Sequence, residues 1–153
     1  MTFKVHWTHL GGGPLFDKIQ SIVSTFPDNV NCNLTGMINS DKIMDYYVNK
    51  QVDLFINMSE SEGVPISIME AMSAGIPIFA TNVGGTSEIV NNLIGKILNE
   101  NINSLELANE IILFHKESKL KKRAMRDKSF EMYLNKSNAT NLSNETAKFL
   151  LEK

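Results

Sequence analysis

The chain has 153 residues, about one domain's length, and its 42% apolar and 21% charged content is that of an ordinary globular protein. A net charge of −2 gives no footprint for nucleic acid, and the single cysteine, Cys32, excludes an intrachain disulfide and suits a reducing compartment. No run of about 18 apolar residues offers a spanning helix, and the N-terminus lacks a signal pattern, so a cytoplasmic protein is expected.

Residues 3–10 are rich in strand formers and end at Gly11-Gly12-Gly13-Pro14. Leu15, Ile19, Ile22 and Val23 then follow a helical spacing. A turn at Pro27-Asp28-Asn29 leads into a second predicted strand, residues 30–35, which Gly36 stops. Ser40 reads as an N-cap with Asp41 in the first turn, and Ile43, Met44, Tyr47 and Val48 form the expected buried stripe. Residues 54–58 read as a short apolar strand. Residues 65–74 read as a helix with Pro65 at or near its first position, where a missing N–H costs nothing, and Gly75 ends it.

A strand buried on both faces is expected over residues 76–81, a short helix over 86–90 and a last short strand over 95–98. Beyond Ser104 the pattern is purely helical. Leu105, Leu107, Ala108, Ile111, Ile112 and Phe114 mark one helix, residues 119–133 a second and residues 138–151 a third. The alternation of strands and helices up to about residue 100 implies right-handed βαβ units. The expected fold is α/β: a Rossmann-like parallel sheet flanked by helices, in a single domain over residues 1–153. In such sheets ligands bind at the carboxyl ends of the strands, where the glycine turns and the 62–70 segment are expected.

That segment carries the chemistry. Glu62 and Glu70 bracket the start of the predicted helix, and the Gly63–Pro65 turn between them leaves backbone N–H groups free to meet an anion. A fully helical path would set the two backbones roughly 12 Å apart on nearly one side of the helix. A hydrolytic acid/base pair needs about 5–9.5 Å across one bond, so two separate contacts on one ligand is the simpler reading. An anion flanked by hydroxyls describes a nucleotide sugar. Singly, Glu62 reads more readily as a cap and Glu70 as a solvated side chain. The small residues Ala71, Ala74 and Gly75 and the second glycine turn, Gly84-Gly85, shift the balance.

Glu62-Gly63-Val64-Pro65, Glu70-Ala71-Met72, Gly75-Ile76-Pro77 and Gly84-Gly85-Thr86-Ser87-Glu88 together resemble the signature of the retaining GT-B glycosyltransferases of family 4, or group 1. Gly11-Gly12-Gly13-Pro14 resembles the family's Gly-x-Gly-Pro turn, and Leu34-Thr35-Gly36-Met37-Ile38 its strand-Gly-x-aliphatic segment. The likeness covers roughly residues 3–100.

The resemblance implies one lobe of a GT-B fold, the donor-binding one. It implies that Glu70 holds the ribose hydroxyls. Glu62 would contact the donor sugar and stabilise positive charge as the glycosidic bond breaks. Gly63, Val64 and Ile66, beside Pro65, would offer amides to the sugar or diphosphate. Met37 and Ile38 would border the base, and Gly12, Gly13, Gly84 and Gly85 would line the donor site. No metal or other cofactor is expected, only the nucleotide diphosphate sugar as substrate. In the family, an Arg and a Lys that clamp the diphosphate lie in the lobe's first βα unit. That unit, and the N-terminal acceptor-binding lobe, are expected to lie outside these 153 residues. No Lys or Arg occurs between Val52 and Asn92, so weak donor binding and no turnover are expected of this chain alone. A nucleotide-sugar epimerase on a related fold, and a non-catalytic nucleotide-binding subunit that pairs with a separate acceptor lobe, are the rival readings.

Other features read plainly. His6 and His9 stand three apart in a predicted strand and point to opposite faces, so they do not share a metal. His115 falls in a polar helical stretch, and Cys32 reads as a small core residue. The basic run 116–128 reads as a solvated helix face, or as a peripheral contact with an anionic membrane. Asn138-Ala139-Thr140 and Asn144-Glu145-Thr146 match glycosylation acceptors but fall in a helix expected to be cytosolic, and read as coincidence.

Overall fold

The structure is a computed structural model that describes residues 3–63 and 65–137. Val64, the third predicted C-terminal helix and both acceptor patterns lie outside the described residues. The chain divides between Tyr46 and Tyr47 into two compact units.

In the first unit, strand β1 (Val5–His9) pairs in parallel with β2 (Val30–Leu34), and helix α1 (Phe16–Val23) connects them. The expected strands and helix are present, each trimmed by one or two residues at its ends, as frayed termini are. Helix α1 buries none of its residues fully. Trp7 packs its ring against Phe26 at 5.9 Å and His9 at 6.1 Å, and the Tyr46 hydroxyl donates to Thr8 Oγ1 at 2.9 Å. Cys32 is half-buried on β2. Helix α2 (Ser40–Asn49) begins at Ser40, but its apolar stripe is narrower than expected. Tyr47 is buried, Ile43 and Met44 are half-buried, and Val48 is 78% exposed.

The second unit holds a three-stranded parallel sheet in the order β3 (Phe55–Asn57), β4 (Ile78–Thr81), β5 (Gly95–Leu98). The parallel pairing and flanking helices are as expected, and the described strands lie in a two-stranded and a three-stranded sheet. Helix α3 (Ile66–Ser73) joins β3 to β4, and the single turn α4 (Thr86–Ile89) joins β4 to β5. Strand β4 is buried at all four positions, as a central parallel strand should be. Helix α5 (Ser104–Lys116) starts on a capping box. Asn103 accepts from the amides of Leu105 and Glu106, and Glu106 accepts from the Asn103 amide. Helix α6 (Lys119–Met132) follows and runs into a π-helical turn, Tyr133–Ser137.

Phe79 of β4 and Phe114 of α5 meet edge to face at 5.6 Å, within a cluster that includes Leu98 and Met125. Leu105, counted on the stripe of α5, is 71% exposed. Helix α6 is tied to the sheet layer by polar bonds. The buried Ser129 hydroxyl donates to the Ile76 carbonyl at 2.9 Å, and Arg126 Nη1 donates to the Val52 carbonyl at 2.7 Å. Gly75 ends α3 with φ of +63°, the left-handed conformation of a helix C-terminus.

Strands β4 and β5 approach so closely at Gly95 that a Cβ there would lie 1.7 Å from the Ile78 carbonyl oxygen. The variant Gly95→Ala should therefore lose about 3 kcal/mol of stability or more, read as a fall in urea midpoint at unchanged slope. An unchanged midpoint would contradict this register.

Candidate functional site

Each unit gathers its glycine turns at the carboxyl ends of its strands. In the first unit Gly11 and Gly36 form a bridge, with the Gly11 amide donating to the Gly36 carbonyl at 3.1 Å. Gly11, Gly13 and Gly36 all have positive φ. Gly12 lies against Met37, whose Cγ would stand 3.1 Å from a Cβ built on the glycine. Gly12, Gly13, Met37 and Ile38 are therefore neighbours in one turn pair, with Met37 84% exposed and Ile38 half-buried.

In the second unit, the Glu62-Gly63 turn after β3 meets the Val83-Gly84-Gly85 turn after β4. The Gly85 amide donates to the Gly63 carbonyl at 3.2 Å. Gly84 has φ of +51°, and a Cβ there would lie 1.7 Å from the Glu62 carbonyl oxygen. The second glycine turn thus fixes the backbone of the first.

Two side chains that sequence reasoning did not single out hold Glu62, and a third, Thr81, holds one of them. Glu62 Oε1 accepts from Ser59 Oγ at 2.6 Å and from Asn57 Nδ2 at 3.3 Å. Asn57 Oδ1 accepts from the Ser59 amide at 2.9 Å, and the buried Thr81 donates its hydroxyl to the Ser59 carbonyl at 2.6 Å. Asn57 and Thr81 are the last residues of β3 and β4, so the strand ends themselves build this cluster. The signal available in the sequence was a set of short polar residues at the ends of two apolar runs.

The helical path drawn between the two glutamates does not hold. Helix α3 starts at Ile66 with Pro65 as its N-cap, so Glu62 stands on the turn ahead of the helix and only Glu70 stands on it. The reason is Pro65, whose ψ of 102° is extended, not helical. Pro65 is buried, Gly63 is exposed and Ile66 is 66% exposed. The amides of Ile66 and Ser67 have no acceptor among the described residues. At 100° per residue, Ile66, Glu70 and Ser73 share the face of α3 opposite the buried Ile68, Ala71 and Met72. The Glu70 carboxylate has no partner among the described residues, and burial pushes its pKa above the ordinary 4.5.

A groove of about 440 Å³ runs along β5 and α5, away from both glutamates. Most of its polar groups already have protein partners. Lys96 pairs with Glu110 at 2.6 Å, Glu106 belongs to the capping box, and Asn99 accepts from the Asn101 amide. In the basic run, Lys121 pairs with Glu117 and Lys128 with Glu131. Lys122 reaches the His115 carbonyl and lies 5.1 Å from the centre of the Phe114 ring. Among the described residues no helix is long and apolar enough to cross a membrane.

Parallel strands with helices on their faces and glycine turns at the strand ends make a Rossmann-like α/β fold, and solved structures match it to a lobe of the GT-B glycosyltransferases. The Anabaena protein Alr3699/HepE, solved in complex with UDP, superposes with a TM-score of 0.77 at 19% identity, over 97% of this chain and 41% of that one. The C-terminal domain of the group 1 glycosyltransferase LpcC from Francisella tularensis matches with a TM-score of 0.61 at 17% identity, over 90% of this chain and 88% of that one. The family described as "Glycosyl transferases group 1" matches residues 4–129, and the chain belongs to it. The O-antigen biosynthesis glycosyltransferase WbnH of Escherichia coli is 33% identical over 81 residues, which is 53% of this chain and 22% of that protein. The chain thus spans about a fifth of the length of the curated relatives it matches first.

Two measurements check this geometry. Gly84→Ala should cost about 2–3 kcal/mol of stability, whereas Gly63→Ala, with open space where its Cβ would go, should stay within about 0.5 kcal/mol of the parent in urea titrations. Glu70 binds its proton more tightly folded than unfolded, so its contribution favours folding below the ordinary carboxyl value and is lost as pH rises through the folded one. Glu70→Gln should therefore melt higher than the parent at neutral pH, with the difference vanishing in acid. A variant less stable than the parent at neutral pH would contradict the burial of an unpaired carboxylate.

Proposed function

We propose that this chain is the donor-binding lobe of a retaining glycosyltransferase, which moves a sugar from a nucleotide diphosphate sugar to a glycan or lipid-linked acceptor. One observation carries the reading. An amide-bearing helix start, at Ile66 and Ser67, lies in the chain between a carboxylate held by hydrogen bonds, Glu62, and one without a partner among the described residues, Glu70. Free amides at a helix start favour the diphosphate, and a carboxylate without a donor of its own accepts from hydroxyls. Glu70 takes the ribose, and Glu62 takes the sugar. The solved complexes of Alr3699/HepE with UDP and with UDP-glucose support a ligand of this class.

In the whole enzyme the bond between the anomeric carbon and the β-phosphate oxygen breaks, and the nucleoside diphosphate leaves with the electron pair. The acceptor hydroxyl attacks from the same face and its proton passes to the departing phosphate oxygen, so the configuration is kept. Glu62 steadies the positive charge that develops on the sugar. No metal is required in this reading, because the helix start and basic groups from elsewhere in the enzyme offset the phosphate charge. A helix terminus contributes about 0.3–1 kcal/mol toward an anion, and residues 53–91 hold no Lys or Arg, so this chain alone binds weakly and does not turn over. The acceptor comes from a separate N-terminal lobe. Lys116, Lys119 and Arg123, exposed and without an acidic partner among the described residues, are the groups that a weak contact with an anionic membrane would use.

The test is an NMR titration with UDP, GDP and ADP and their sugar conjugates, with and without EDTA. The expected result is millimolar binding to one base series, unaffected by EDTA and lost in Glu70→Ala. Binding that survives Glu70→Ala unchanged, or that needs a divalent ion, would overturn the assignment.

A further inference from the structure

We propose that Ser59 is a positioning residue for the sugar half of the donor, holding one oxygen of Glu62 so that the other is presented to a ligand hydroxyl. This rests on the donor-lobe reading above and goes one step behind the carboxylate. Both donors to Glu62 converge on a single oxygen, Oε1: Ser59 Oγ at 2.6 Å and Asn57 Nδ2 at 3.3 Å. The other oxygen, Oε2, has no partner among the described residues. A carboxylate held this way keeps one acceptor free in a fixed direction, and it has no proton to donate.

Ser59 is itself fixed from two sides. Its amide donates to Asn57 Oδ1 at 2.9 Å, and its carbonyl accepts from Thr81 Oγ1 at 2.6 Å. Thr81 is 2% exposed, so the chain of bonds Thr81, Ser59, Glu62 runs from the buried end of β4 to a half-exposed carboxylate. A free glutamate side chain loses much rotamer freedom when a ligand orders it, and here that ordering precedes the ligand. The free oxygen suits a neutral, hydroxyl-bearing ring and repels a phosphate. The effect of Ser59 is therefore confined to the sugar and does not extend to the nucleotide.

The experiment compares dissociation constants by NMR titration for three pairs, UDP and UDP-glucose, GDP and GDP-mannose, ADP and ADP-glucose, and uses the pair the chain binds. Ser59→Ala should weaken the sugar conjugate about tenfold and leave the bare diphosphate unchanged, the size expected for a hydrogen bond to a charged group. Ser59→Thr should restore the parent value. Adding Ser59→Ala to Glu62→Gln should cost nothing beyond Glu62→Gln alone. Thr81→Val, which keeps the side chain's shape, should weaken the same conjugate by a smaller factor, and it carries the test if Ser59→Ala does not fold.

A Ser59→Ala variant that binds both ligands like the parent, while Glu62→Gln loses the conjugate, would overturn the role of Ser59 and leave the donor lobe standing. Equal loss of diphosphate and conjugate in Ser59→Ala would show a merely structural serine, again overturning it. No binding of any pair, or no effect of Glu62→Gln on the conjugate, would overturn the donor reading itself.

Discussion

The contact on which the rest depends is between two backbones. The carbonyl oxygen of Glu62 occupies the space where any residue other than glycine at position 84 would place its Cβ. The turn after β4 is thereby pressed onto the turn after β3, and the Gly85 amide bonds the Gly63 carbonyl across the join. A loop after a three-residue strand would otherwise have few restraints of its own. Here its position follows from β4, the most deeply buried element of the second unit. The restraint passes from core to site through backbone and hydroxyl bonds: Thr81 to Ser59, Ser59 to Glu62, Gly85 to Gly63.

The two glutamates are treated differently by their surroundings. Glu62 is supplied with two donors, which order its carboxylate on the protein's own account. Glu70 has no partner among the described residues and some burial, which raises the cost of its charge. Folding alone gains nothing from leaving a half-buried carboxylate unpaired. On the proposed reading, a ligand hydroxyl would supply the missing donor. Residues 53–91 hold no Lys or Arg, so on the proposed reading a helix start of modest strength is what this segment offers a diphosphate.

Much of this was legible in the sequence. The uninterrupted apolar run before Thr81 announced a strand covered on both faces, and Gly75 announced the end of α3, because both depend on local chemistry. The paired glutamates and glycine turns were legible as a set. The division of the strands into two sheets was not, because strand pairing is a long-range choice that periodicity does not encode. Val48 and Leu105 sat on apolar stripes yet are exposed, since a stripe says which residues can be buried and not how wide the covering surface is. Ser59 carries no signal in the sequence, because a serine near a strand end is ordinary in composition. Only the arrival of Thr81 and Asn57 beside it, from the ends of two strands, gives it a task. Pro65 marks the helix start in the sequence, and its extended ψ keeps Glu62 off the helix altogether.

The most direct measurement is a crystal structure of the chain soaked with the nucleotide diphosphate sugar that it binds in solution. The diphosphate should lie at the amides of Ile66 and Ser67, the ribose hydroxyls on Glu70, and a sugar hydroxyl on Glu62 Oε2, with Ser59 still on Oε1. A ligand bound away from the start of α3, or a Glu62 carboxylate turned from it, would contradict the account.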